Sequence, residues 1–202
     1  MLATGKVNLT GNWQHTTMTS LPNMLTLSRI GIIPLLILLF YLDSPLASWG
    51  ALALFAIAGI TDYFDGYLAR HRKQVSAFGR FLDPIADKLL VAAVLLMLVA
   101  TRRVEGLVVL PALVILCREI LVSGLREYLA EIKVSVPVSS LAKWKTAIQM
   151  LALGFLIVGN DGPDVLPVQA VGEWCLWIAA ALTLITGYDY LRQGLKHMPL
   201  ED

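Results

Sequence analysis

Charge is scarce in this chain. Only 15% of its 202 residues are Asp, Glu, Lys or Arg, where a soluble domain carries about 25%. That scarcity excludes an ordinary water-facing surface. The net charge is +1, which leaves no bulk field for a polyanion, so nucleic acid is not an expected partner. Cysteine is nearly absent too. Cys117 and Cys175 both sit in apolar runs and read as small buried hydrophobes, excluding a disulfide framework or a thiolate metal site. Residues 1–21 are polar and Thr-rich and lack an apolar core, so a cleavable secretory signal is not expected. They read as a tail, disordered or appended, ahead of a single domain over residues 22–202. Internal repeats and low-complexity tracts are missing as well.

Apolar residues are what the chain has in abundance: 57% are hydrophobic and mean hydropathy is +0.70. A bilayer core is roughly 30 Å thick and needs about 20 such residues per helix. Six stretches qualify as spans: Leu25 to Leu42, Leu46 to Ile60, Ile85 to Ala100, Leu107 to Leu125, Trp144 to Gly159 and Val171 to Leu191. In lipid an open strand leaves amides unpaired, so each stretch is expected to be helical. The fold class is therefore all-α, a polytopic membrane bundle of six transmembrane helices behind a short N-terminal juxtamembrane segment. With the N-terminus in the cytoplasm, only Arg102 and Arg103 of the 16 basic residues fall on the outside. The positive-inside rule selects that orientation. The two exceptions are tolerable if they snorkel to the headgroups.

The informative polar segment runs from Thr61 to Lys88. Asp62 and Asp65 are three apart, and Asp83 and Asp87 four apart, so each pair takes one helix face. Asp62 and Asp65 close the second helix, while Asp83 and Asp87 open the third on the same side. Pro84 suits a first helical turn. The short link from His71 to Phe78 lets the helices lie antiparallel and the four carboxylates converge. Such acids repel one another unless neutralised, and an all-oxygen set suits Mg²⁺ or Mn²⁺. Two such ions could clamp a diphosphate. Gly66 and Gly79 would let a nucleotide or pyrophosphate approach the backbone, and Arg70 is placed to meet a phosphate bidentately. A solvated pair of helix ends is the bland alternative. Four acids in paired spacing with two glycines and an arginine argue against it.

Asp62, Asp65, Gly66, Ala69, Arg70, Gly79, Asp83 and Asp87 fall in the pattern Asp-x2-Asp-Gly-x2-Ala-Arg-x8-Gly-x3-Asp-x3-Asp. The pattern resembles the signature of the CDP-alcohol phosphotransferases. The resemblance implies six transmembrane helices, a homodimer and a two-metal site in which Asp62, Asp65, Asp83 and Asp87 bind the ions. It further implies that Asp87 is the general base, and that Gly66, Ala69, Arg70 and Gly79, with Asp62 beside them, line the CDP pocket.

The acceptor must be argued from other basic residues. Arg118 and Arg126 are eight apart, about two turns, and share a face. Lys143 and Lys145 open the fifth helix. Basic helix ends often only meet lipid headgroups, but Arg118 lies inside an apolar run beside Glu119 and needs an anion or carboxylate there. These four residues suit an acceptor that itself carries phosphate. Arg118 to Glu127, Val136 to Thr146 and Pro22 to Arg29 resemble the bacterial branch of the family that forms phosphatidylglycerophosphate. The likeness runs from Pro22 to Gln149, with Ala142 where glycine is commoner. It implies transfer from CDP-diacylglycerol to sn-glycerol 3-phosphate with release of CMP, at the cytoplasmic face of a bacterial inner membrane. Asn23, Thr26 and Arg29 are candidate pocket or lipid contacts, and Asn23 equally a helix N-cap. Three alternatives stay open: another acceptor (phosphatidylglycerol, serine or inositol), prenyl transfer, or an ion-coupled transporter. Relay acids of transporters lie near the midplane, whereas these lie at one end.

Overall fold

A chain this apolar satisfies its amides most readily within helices. The computed structural model describes residues 21–72, 77–132, 134 and 140–196, with the backbone alone described for 21–25, 62–72, 77–81, 83, 84 and 140. Among the described residues six α-helices follow in order: α1 Leu21–Phe40, α2 Pro45–Arg72, α3 Ala77–Ala100, α4 Val109–Glu131, α5 Ser140–Val158 and α6 Val168–Leu195. Among the described residues there is no strand. Gly106–Glu131, Leu141–Asp161 and Val168–Leu195 are long and apolar enough to cross a membrane. Thr26–Phe40 and Pro45–Thr61 are shorter apolar helices.

Helices α2 and α3 both run further toward their shared link than hydropathy suggests. Helix α3 starts at Ala77, so Pro84 lies inside it and not in its first turn. A proline there withdraws one amide and frees the carbonyl four residues earlier. Likewise α1 starts at Leu21, which puts Asn23 inside the helix and rules out an N-cap role. The tail, residues 1–20, lies outside the described residues.

Helix α1 packs on α2 and α3, α2 on α5, α3 on α4 and α5, and α6 on both α4 and α5. The core is aliphatic. On α3, Ala86, Leu90, Val94 and Leu98 recur every four residues and are all fully buried, and the last three share one core cluster with Leu36, Ile115, Leu153, Leu156 and Leu176 from other helices. Leu38, Leu96, Trp144, Trp174 and Tyr188 stand outward instead. An apolar outer surface is what a bilayer solvates. The same inversion corrects the reading of the cysteines: Cys117 is exposed on α4 and Cys175 half-buried, both free. In lipid, an apolar side chain has no reason to prefer the interior.

Buried polar residues sort by end. Ser48 lies where α2 begins, while Thr26, Arg29, Lys145, Gln149, Thr183 and Thr186 lie toward the end where α2 meets α3 and α4 meets α5. At the Ser48 end, Arg103 folds inward and does not snorkel. Its Nη2 donates to Ser48 Oγ at 2.8 Å and lies 3.6 Å from Asp161 Oδ2. Nη1 donates to the Ile157 carbonyl, and the guanidinium sits 5.6 Å from the centre of the Phe40 ring. The chain reaches this position through Arg102, left-handed at φ 56. Arg102 and Arg103 return their amides to Val99 and Leu98, the Schellman way of closing a helix.

Candidate active site

Helix α2 is continuous through Asp62, Asp65, Gly66, Ala69 and Arg70, and α3 through Gly79, Asp83 and Asp87. The three- and four-residue spacings therefore fall on helical turns, which gives each aspartate pair a common face. The side chains of Asp62, Asp65, Gly66, Ala69, Arg70, Gly79 and Asp83 lie outside the described residues. So does that of Asn23. Among the described residues no group of three metal-ligating side chains occurs. Thr61, just before the motif, turns its hydroxyl back to the Ile57 and Ala58 carbonyls, both at 2.9 Å.

Asp87 is described, and is exposed one position beyond the buried Ala86. Its carboxylate is close enough to act electrostatically on the Lys145 ammonium of α5. That proximity ties the acidic motif to the basic residues read from sequence.

Those basic residues do not all gather. Lys145 is 4% exposed and pairs with Glu119 Oε1. Lys143, two positions away, is exposed on another side of α5 and does not join the pair. Arg118 lies against α6. Its Nη2 donates to Thr186 Oγ1 at 3.3 Å and its Nη1 to Glu119 Oε1 at 3.4 Å. Its stem fits because residue 187 is glycine: a Cβ there would come 2.9 Å from Arg118 Cγ. Thr186 donates its own proton to the Leu182 carbonyl at 2.7 Å, leaving a lone pair for Arg118. Arg126 also leans on α6, with its guanidinium 5.7 Å from the centre of the Tyr190 ring. The shared face of Arg118 and Arg126 thus exists, but Arg126 is exposed at its edge.

One carboxylate, Glu119, serves two cations. Arg118, Lys145 and Glu119 by themselves sum to one net positive charge in a largely buried place, and the exposed Asp87 carboxylate acts on Lys145 from outside the trio. Arg118 Nε is buried without a partner. A buried cation that lacks full compensation is costly. Thr26 and Arg29 are buried on α1, which rules out lipid contact for both. They point to the interior beside α2 and α3, the helices that carry the aspartates.

Missed in the sequence were Glu119 as the shared anchor, Thr186 and Gly187 as the bed of Arg118, and the buried Gln149 and Thr183. Only helical spacing to Lys145 hinted at Gln149. An apolar groove of about 620 Å³ also opens between α2 and α5, lined by Leu52, Phe55, Gly59, Met150 and Gly154.

A one-ended arrangement of helical acid pairs, with a cation cluster beside Asp87, is the outline of a membrane phosphotransfer enzyme. Residues 19–185 match the family model described as CDP-alcohol phosphatidyltransferase, and the chain belongs to that family. A Rickettsia bellii relative, named CDP-diacylglycerol--glycerol-3-phosphate 3-phosphatidyltransferase, is 54% identical over 178 residues, 88% of this chain and 97% of its own length. A Pectobacterium atrosepticum protein of the same name is 44% identical, covering 90% of this chain and 98% of itself. An Arabidopsis thaliana protein named as the chloroplastic/mitochondrial form 1 is 40% identical, covering 88% of this chain and 63% of itself.

Proposed function

We propose that this chain transfers the phosphatidyl group of CDP-diacylglycerol to sn-glycerol 3-phosphate, giving phosphatidylglycerophosphate and CMP. The observation that carries the reading is the 54% identity to a protein of that name along 97% of its length. The buried net positive charge of Arg118, Lys145 and Glu119 supports an acceptor that bears phosphate.

In this reading Arg118 and Lys145 hold the acceptor phosphate, oriented by their common partner Glu119. Arg126 and Lys143 form its outer rim. Asp87 takes the proton of the primary hydroxyl. That oxygen forms a bond to the diacylglycerol-bearing phosphorus as the bond from this phosphorus to the CMP oxygen breaks. Arg70 meets the charge on the departing CMP, and Gly66, Ala69 and Gly79 leave room for the nucleotide. The all-oxygen donor set of Asp62, Asp65, Asp83 and Asp87 fits Mg²⁺ or Mn²⁺, two ions of which would supply Lewis-acid neutralisation of the diphosphate. Thr26 and Arg29 frame the pocket from α1. The groove between α2 and α5 suits one acyl chain of the donor.

The same reading has all six helices of the 22–202 domain crossing a bacterial inner membrane, with this site at the cytoplasmic face, in a homodimer. Purified protein given CDP-diacylglycerol, labelled glycerol 3-phosphate and Mg²⁺ should release CMP and label lipid in equal amounts. Absence of CMP, or equal turnover with serine or inositol, would overturn the assignment.

A further inference from the structure

Two polar side chains lie one helical turn deeper than the cation cluster, and the reaction above leaves them unused. Gln149 follows Lys145 by four residues on α5, so the two share a face. It is 3% exposed, and its Oε1 has no hydrogen-bond partner. On α6, Thr183 precedes Thr186 by three residues, is fully buried, and has an unpartnered Oγ1. Ile115 on α4 and Ala152 and Leu153 on α5 are fully buried and carry no polar side-chain atom. Buried polar atoms are almost always satisfied. Bare ones on the face of a cation cluster therefore mark a place where a ligand brings its own donor.

The chemistry of the acceptor supplies that donor. In glycerol 3-phosphate the secondary hydroxyl sits on the carbon next to the one carrying phosphate. The primary, attacking hydroxyl sits on the far carbon. A phosphate held at Lys145 would bring the secondary hydroxyl within reach of the next turn, about 5.4 Å along the helix. Resting on the function proposed above, we infer that Gln149 is a specificity-determining residue. Its Oε1 accepts a hydrogen bond from the acceptor's secondary hydroxyl, with the Thr183 hydroxyl at the same depth on α6.

A site built to bond a hydroxyl rejects the analogue lacking it, because its own polar group is left bare. The test compares glycerol 3-phosphate with 3-hydroxypropyl phosphate, which lacks only the secondary hydroxyl. For the unaltered protein, kcat/KM should favour glycerol 3-phosphate roughly ten- to hundred-fold. In Gln149→Met, nearly the same shape without the acceptor, the ratio should fall to about 1. In Gln149→Glu, which keeps an acceptor at the same reach, it should stay above about ten. Both substrates are assayed on one preparation, so any loss of folded protein cancels. Equal use of the two acceptors by the unaltered protein overturns the inference, as does an unchanged ratio in Gln149→Met or a lost one in Gln149→Glu. No CMP release with either acceptor is a different result, and it sinks the proposed function itself.

Discussion

Arg103 and Arg118 are both set into the bundle, one toward each end, and they are held in opposite ways. Arg103 reaches Ser48, Asp161, the Ile157 carbonyl and the Phe40 ring, tying α1, α2, α5 and the turn before α6 together. Ser48 in turn donates to Asp161, and Gln169 caps the Arg103 carbonyl at 2.6 Å. Among the described residues no buried side-chain atom of Ser48, Arg103, Asp161 or Gln169 lacks a partner. Arg118 shares a single carboxylate with Lys145 and keeps a bare buried Nε. The contrast separates two uses of a cation in an apolar bundle. A saturated cation fastens helices. An under-compensated one keeps a bond to give, which is the role proposed for Arg118.

The comparison breaks most easily at the two aspartates. Asp87→Asn should lower turnover by about 10²–10⁴-fold with little change in unfolding, whereas Asp161→Asn should do the reverse. CMP release and denaturant unfolding in the same micelles read both. Inactivity of Asp161→Asn in well-folded protein would erase the distinction between the ends.

The arginines come next. Arg118→Ala should raise the KM for glycerol phosphate at least about ten-fold while moving the KM for CDP-lipid much less. Arg103→Ala should lose about 2–4 kcal/mol of stability and keep its kinetic constants. Glycines sharpen the same contrast at a smaller scale. A Cβ at Gly172 would come 2.8 Å from Leu156 Cγ, so Gly172→Ala should cost about 1–3 kcal/mol of stability. Gly187→Ala displaces Arg118 and should raise the acceptor KM by up to about ten-fold. The smallest effect is expected at Arg102, whose left-handed backbone favours glycine. Arg102→Gly should gain about 1 kcal/mol, visible as a shifted unfolding midpoint with unaltered kinetics.

Much of this architecture could be read from residue order. The helices among the described residues lie where the apolar stretches lie, because a chain this apolar pairs its amides most readily within a helix. The aspartate spacing could be read too, since helical geometry makes three- and four-residue steps into neighbours. Sidedness could not. Lys143 and Lys145 look equivalent in the chain, yet two residues turn the helix by about 200° and bury only the second. Cys117 misled for a related reason: apolar character says nothing of burial when the solvent is lipid.

Sequence by itself determined the family of the molecule, its helices and the helical spacing of its acidic motif, because these depend on local periodicity and on residue type. Tertiary structure decided which arginine found most of its partners within the chain and which kept a bare Nε. It also decided that Glu119, Thr186 and Gly187 would seat Arg118, and that Gln149 would stay bare beneath Lys145. Those outcomes depend on which helix faces meet. Partners 26 to 113 residues apart along the chain leave no mark on the periodicity of either helix.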